Sequence, residues 1–152
     1  MNNFDQIKME GKMLAKKISA LTAGDIMTKR VGKISQDAII IDAVRDLFVM
    51  NIGAMVVCND KEEVVGKFTE RDVLRRVVPE SLKIKKVHVE EVMTMHPVTV
   101  TSDTSIFEVY HMMSELNFRH VPVVDDNKLV GIISIKDIAK ACMKYVEEHK
   151  DD

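Results

Sequence analysis

Residues 51–77, NIGAMVVCNDKEEVVGKFTERDVLRRV, and residues 117–141, NFRHVPVVDDNKLVGIISIKDIAKA, carry one pattern twice. Each stretch opens on Asn, runs through a short apolar segment, crosses a polar turn, returns through a second apolar segment containing Gly, and reaches a hydroxyl residue three places before an Asp. Continuous apolar runs bounded by turn residues suit short strands buried on both faces, and the polar turn between them makes a hairpin. Thr69 and Ser134 then stand where the second strand hands the chain to a helix.

Outward from these stretches the correspondence continues. An offset of 66 sets Met27-Thr28 on Met93-Thr94, Ile34-Ser35 on Val100-Thr101, Asp37 on Asp103 and Asn51 on Asn117. After the hairpin turn the offset is 65, which sets Val65-Gly66 on Val130-Gly131 and Asp72-Val73 on Asp137-Ile138. One repetition at about this period points to two copies packed about a pseudo-twofold axis, not to a solenoid.

Each copy reads as β-α-β-β-α. A strand at 33–35 or 98–101 precedes Asp37 or Asp103, which is expected to cap a helix with an apolar face of Ile41, Val44, Leu47 and Phe48, or Phe107, Tyr110 and Met113. Asn51 and Asn117 should end these helices, because asparagine tolerates left-handed geometry. Second helices are expected from TERDVLRRV and SIKDIAKACMKYV. A sheet with helices on one face needs a partner, so two copies should build one α/β domain.

The expected organisation is an N-terminal amphipathic helix over 1–22, repeat 1 over 23–78, a linker over 79–88, repeat 2 over 89–146 and a tail over 147–152. In the first segment Phe4, Ile7, Gly11, Leu14, Ile18 and Leu21 fall at steps of three and four. This stripe is expected to pack on its own domain; a helix that pairs with another copy is the sharper alternative.

Composition narrows the function. With 46% apolar and 30% charged residues the chain is a globular one, and a net charge of −2 leaves no excess of positive charge to track a phosphodiester backbone. Lys83, Lys85 and Lys86 make a solvated cluster in the linker, so nucleic acid is not expected as a partner. Cys58 and Cys142 form no CxxC pair, and the five histidines show no HxxxH or HxH spacing, so no metal site is expected. The polar start and the lack of an 18-residue apolar run point to the cytoplasm and away from a membrane. No activated nucleophile or paired catalytic carboxylates stand out, so an enzyme is the weakest of three readings.

The repeated tetrads Thr69-Glu70-Arg71-Asp72 and Ser134-Ile135-Lys136-Asp137 are the candidate chemistry. A hydroxyl three residues before a carboxylate is close to a capping box, in which each side chain satisfies an orphan amide of the helix start. At a strand-to-helix junction the same pair suits a nucleotide: the carboxylate accepts from ribose hydroxyls, while the hydroxyl and free amides donate to phosphate oxygens.

GKFTERDVLRRV and GIISIKDIAKA, with NIGAMVVCND and NFRHVPVVDDNKLVG, resemble the tandem cystathionine-β-synthase (CBS, or Bateman) modules, over residues 24 to about 144. The resemblance implies a non-catalytic sensor, with no required cofactor, that holds AMP, ADP, ATP or S-adenosylmethionine in clefts between the modules. It further implies a homodimer that signals to an unidentified protein. One cleft would join Asp137, Ser134 and Ile132 to Ala38, Ile52, Gly53 and Ala54. The other would join Asp72 and Thr69 to Thr104, Phe118, Arg119 and His120. Arg119 and His120 stand where the resemblance implies basic residues against phosphates, with a solvated Arg and a hydrogen-bonded His as the equal alternative, and Lys67 replaces an apolar residue, so its ammonium is expected to reach water or a ligand phosphate. The Asp137 cleft is therefore ranked first. A structural or interaction module whose tetrads are only caps is the principal rival.

Overall fold

The computed structural model describes residues 3–148, with side chains from Asp5 onward; the Phe4 side chain of the apolar stripe and the tail beyond 148 lie outside that description. In order, the chain forms α1 (Asn3–Ser19), α2 (Ala23–Ile26), β1 (Lys33–Ser35), α3 (Ile40–Met50), β2 (Ala54–Cys58), β3 (Val64–Thr69), α4 (Glu70–Asp72), β4 (Thr94–Met95), α5 (Ile106–Leu116), β5 (His120–Asp125), β6 (Lys128–Ser134) and α6 (Ile135–Glu147). No helix among the described residues is long and apolar enough to cross a membrane.

Each hairpin follows from its turn. β5 and β6 pair antiparallel out to Asp125 and Lys128, and the two residues between them, Asp126 and Asn127, both have positive φ (49° and 62°), the geometry of a tight two-residue hairpin turn. In the longer β2–β3 turn the Asn59 side chain accepts from the amides of Lys61 and Glu63, both at 3.0 Å. That extra residue accounts for the change of offset. Asn51 and Asn117 end α3 and α5 in the left-handed region, at φ 52° and 53°.

Asp37 and Asp103 do not cap. Ile39 is the N-cap of α3 and has no side-chain cap bond, whereas Ser105 caps α5 by accepting from the Phe107 amide at 3.3 Å. Asp103 instead takes the Thr101 hydroxyl two residues back, because the turn closes before the helix begins. The second helix of repeat 1 also departs from expectation. After Asp72 it widens into a π-helical turn over Val73–Val77, with the Val78 amide bonding to the Val73 carbonyl five residues back.

The repeats exchange their leading segments. The four-stranded sheet of repeat 1 runs β1-β2-β3-β4, and β4 comes from beyond the linker: Gly66 pairs with Met95 and Lys67 with Thr94. In repeat 2 the β5-β6 hairpin is extended by a parallel bridge from Val100 to Val123 and by Thr28, from the segment before β1, which bridges to Ile132. Backbone bonds outside the sheets repeat the crossing: Val89 N–H donates to Ala38 O at 2.8 Å, and Ala23 N–H donates to Thr104 O at 2.7 Å. Segments 22–28 and 88–95 are thus contiguous in sequence with one repeat and packed on the other.

The core follows the crossing. Val89, Val92 and Met93 complete the repeat 1 cluster of Ile40, Leu47, Met55, Val57 and Phe68. Ala23, with Met27 packed beside it, completes the repeat 2 cluster of Val100, Val109, Val121, Val123 and Ile133. Gly66 and Gly131 permit this, since a Cβ at either would collide with the sulfur of Met93 or Met27. A third cluster, Ala54, Val56, Cys58 and Ile132, fills the seam between the sheets. Along the N-terminal stripe Leu14, Ile18 and Leu21 are half-buried, α1 packs on α6, and Ile7 remains 60% exposed.

Candidate functional site

Both tetrads form complete capping boxes. At the first, Asp72 Oδ2 accepts from Thr69 N–H at 2.8 Å and from the Thr69 hydroxyl at 2.9 Å, while the Asp72 amide donates to Thr69 Oγ1 at 3.3 Å. At the second, Asp137 Oδ2 accepts from Ser134 N–H at 2.8 Å and the Ser134 hydroxyl at 2.9 Å, and the Asp137 amide donates to Ser134 Oγ at 3.1 Å. Each hydroxyl proton is therefore engaged within its own box. What each carboxylate has left for a ligand is Oδ1, an acceptor with two lone pairs.

The two boxes differ in surroundings. Asp72 is buried and borders a cavity of about 350 Å³ built from both repeats. Repeat 1 contributes Gly53, Lys67, Thr69, Glu70, Arg71, Arg75 and Arg76 to its wall, and repeat 2 contributes Leu116, Asn117, Phe118, Arg119 and His120. The structure thus brings Asp72, Thr69, Phe118, Arg119 and His120 together around one space, as grouped from the sequence. Thr104 is elsewhere: its carbonyl holds the Ala23 amide and its hydroxyl lies 3.2 Å from that of Thr101. Thr94, from the crossing segment, lines the cavity in its place.

Asp137 is half-buried and borders a different space, of about 490 Å³, walled by Leu21, Asp25, Ile26, Lys140, Ala141, Lys144 and Tyr145. None of Ala38, Ile52, Gly53 or Ala54 lines it. Ala38 and Ile52 pack against the repeat 1 core, Ala54 is buried beside Ile132 in the seam, and Gly53 lines the Asp72 cavity. The N-terminal segment crosses to α6 and puts its own residues, Leu21, Asp25 and Ile26, beside Asp137.

Lys67 also departs from expectation. It is only 7% exposed, and its ammonium donates to the His120 carbonyl at 2.8 Å and lies 4.6 Å from the centre of the Phe118 ring. Burial lowers its pKa, Asp72 opposes that shift and Arg71 adds to it. A protein carbonyl and a ring face occupy the ammonium that was expected to meet water or phosphate.

His120 is half-buried with its ring against Gly53. Burial lowers its pKa below the ordinary histidine value; Lys67, Arg119 and Arg71 push the same way, and Asp137 pulls back. These influences together favour the neutral imidazole.

Sequence reasoning passed over Arg71, Arg75 and Arg76. Arg71 Nη1 donates to the Asn117 carbonyl at 2.7 Å, and Arg76 Nη1 donates to the Val92 and Met93 carbonyls at 2.9 and 2.7 Å. Arg76 Nε also stands 3.6 Å from Asp72 Oδ1. The readable signal was the i,i+4 spacing of Asp72 and Arg76; the carbonyl partners lie across the repeat boundary and leave no local trace. Among the described residues no group of three or more His, Cys, Asp or Glu is placed to hold a metal ion.

Comparison with known proteins places this architecture. The family model described as CBS domain matches residues 23–79 and again 89–144. The mitochondrial CBS domain-containing protein CBSX3 of Arabidopsis thaliana is 32% identical over 120 residues, covering 76% of this chain; the match spans 57% of that protein's length. An uncharacterized conserved protein from Pyrococcus horikoshii is similar in structure at a TM-score of 0.76 and 30% identity, over 81% of this chain and 92% of that one. The CBS domain pair of protein MJ0100, solved in complex with 5'-methylthioadenosine and S-adenosylmethionine, is similar at a TM-score of 0.75 and 27% identity, over 82% of this chain and 98% of that one. With the family pattern met twice along its length and the paired fold that goes with it, the chain belongs to the CBS domain family.

Proposed function

We propose that the chain is a regulatory module that binds an adenosine-containing ligand in the cavity at Asp72 and has no catalytic step of its own. The observation that carries this reading is the buried Asp72 carboxylate, which lines a cavity of about 350 Å³ walled by both repeats and keeps Oδ1 outside its capping box. A space of that size is within the range of small-molecule sites. Oδ1 retains the lone pairs to accept two ribose hydroxyls, with only the 3.6 Å approach of Arg76 competing. Phe118 supplies an apolar ring for a base to lie against. The adenosine compounds bound by MJ0100, a protein of the same fold, support this ligand class.

Binding across the two repeats shifts their relative packing by as much as the ligand's differential affinity for the two arrangements. The signal passes to a protein partner. In this proposal the working unit is a homodimer, since α3 and α5 leave Phe48 85%, Phe107 45% and Tyr110 46% exposed.

A second reading has its own observation: both tetrads already form complete capping boxes, which is all that a structural module would need of them. Calorimetry with AMP, ATP and S-adenosylmethionine at millimolar concentration separates the two. Asp72→Ala should abolish binding while costing the helix start about 1 kcal/mol, and Asp137→Ala should cost a similar amount and leave binding intact. Absence of heat with all three ligands, or equal losses from both variants, would count against the Asp72 site.

A further inference from the structure

Arg76 touches two different parts of the molecule at once. Its Nη1 donates to the backbone carbonyls of Val92 and Met93 at 2.9 and 2.7 Å, while its Nε stands 3.6 Å from Oδ1 of Asp72. Val92 and Met93 belong to segment 88–95, which packs on the repeat 1 core and supplies β4 through the pairing of Met95 with Gly66 and Thr94 with Lys67. Oδ1 is the oxygen that the capping box leaves unengaged. One guanidinium therefore joins the open oxygen of the cavity carboxylate to the segment that arrives from across the repeat boundary.

The fold does not require this link. At the equivalent position of repeat 2 stands Ala141, and segment 22–28 docks there through backbone bonds, Ala23 N–H to Thr104 O among them, and through the packing of Ala23 and Met27. The Ser134 tetrad still caps its helix in the same way. Asp72 is buried and Arg76 nearly half exposed, so the fixed carboxylate orients a side chain that water would otherwise leave free to turn. An oriented guanidinium keeps its bonds to the two carbonyls with less loss of freedom. Two ribose hydroxyls on Oδ1 would use the lone pairs to which Nε is drawn.

We propose that Arg76 is a positioning residue that relays occupation of the Asp72 cavity to segment 88–95: a ligand on Oδ1 frees the guanidinium, and the segment loosens with β4. This rests on the adenosine reading of the cavity and adds a route and a direction to its signal. Coupling is reciprocal, so the clasped segment weakens the ligand by the same factor by which the ligand loosens the segment.

Hydrogen exchange of the full chain with and without AMP, at a concentration that calorimetry shows to be saturating, tests this. AMP should speed exchange over residues 92–96 by about two- to fivefold, the range of a partly exposed ion pair. Asp72→Asn keeps an acceptor for the capping box and should give the same rise with no ligand present. Arg76→Met keeps the aliphatic stem; it should speed exchange there by about tenfold, abolish the response to AMP and to Asp72→Asn, and tighten AMP by about two- to fivefold. Segment 22–28, with Ala141 in place of the arginine, should respond to none of these changes. An arginine that only props the segment would leave the AMP response in place in Arg76→Met. That result, bound AMP without faster exchange over 92–96, or weaker AMP binding by Arg76→Met overturns the inference and leaves the adenosine reading standing. Failure of AMP to bind overturns both.

Discussion

The ammonium of Lys67 donates a 2.8 Å hydrogen bond to the backbone carbonyl of His120, joining β3 of one repeat to β5 of the other. At the equivalent place in repeat 2, Ile132 packs against Ala54 in an apolar seam. One half of the pseudo-twofold junction is therefore greasy and the other is held by a buried cation. Lys67→Ala removes the donor and leaves a buried carbonyl unpaired, for a loss of about 2 kcal/mol. In a chain of this size that lowers the melting temperature by about 4 to 8 °C. Lys67→Ile restores apolar contact and should lose less than Lys67→Ala; denaturant unfolding of the three proteins checks the order.

His120 should make stability depend on pH. Its folded pKa lies below the ordinary value of 6.5, chiefly through burial and then through Lys67, Arg119 and Arg71, with Asp137 opposing. Below about 6.5 the unfolded chain takes up a proton that the folded chain resists, so unfolding free energy falls on acidification, until the folded pKa is passed. One such proton contributes a slope of at most about 1.4 kcal/mol per pH unit. His120→Gln should flatten the stability curve between about pH 7 and 5 relative to the parent. An unchanged slope would mean that another group governs that window.

The exchanged segments should be coupled to the glycines beneath them. Gly66→Ala drives a methyl group into the Met93 sulfur, and overpacking of this kind costs about 1 to 3 kcal/mol. Met93→Ala alone leaves a cavity worth about 2 to 5 kcal/mol. In the double variant the new methyl occupies part of the vacated space, so the combined loss should be smaller than the sum of the two. A double-mutant cycle by thermal unfolding measures that difference.

The exposed apolar residues of α3 make a prediction about assembly. Phe48 and Val49 are 85% and 71% exposed. Light scattering should return a mass near twice the 17.2 kDa of one chain, and Phe48→Asp should shift it to the single-chain mass with little change in melting temperature. A parent protein that is monomeric at tens of micromolar would remove the dimer from the proposal.

Much of this protein was legible in its residues taken in order. The duplicated pattern gave two β-α-β-β-α repeats, with the strand expected at 98–101 reduced to a single parallel bridge at Val100; the hairpins fell where their turn residues stand, Asn51 and Asn117 closed their helices, and the two tetrads formed capping boxes. All of these depend on neighbours within a few positions, and local spacing encodes them. Asp37 and Asp103 failed as caps for the same local reason, since the turn before each helix ends two residues later than the aspartate suggests.

Tertiary structure alone decided what surrounds each carboxylate. Lys67 finds its carbonyl 53 residues away, and Arg71 finds Asn117 46 residues away. The crossing of segments 22–28 and 88–95 sets which repeat each one completes, putting Asp25 and Ile26 beside Asp137 and Thr94 beside Asp72. The two copies share a pattern because each must form the same hairpin and cap. They differ in charge because residues remote in sequence meet at the cleft, where periodicity carries no information.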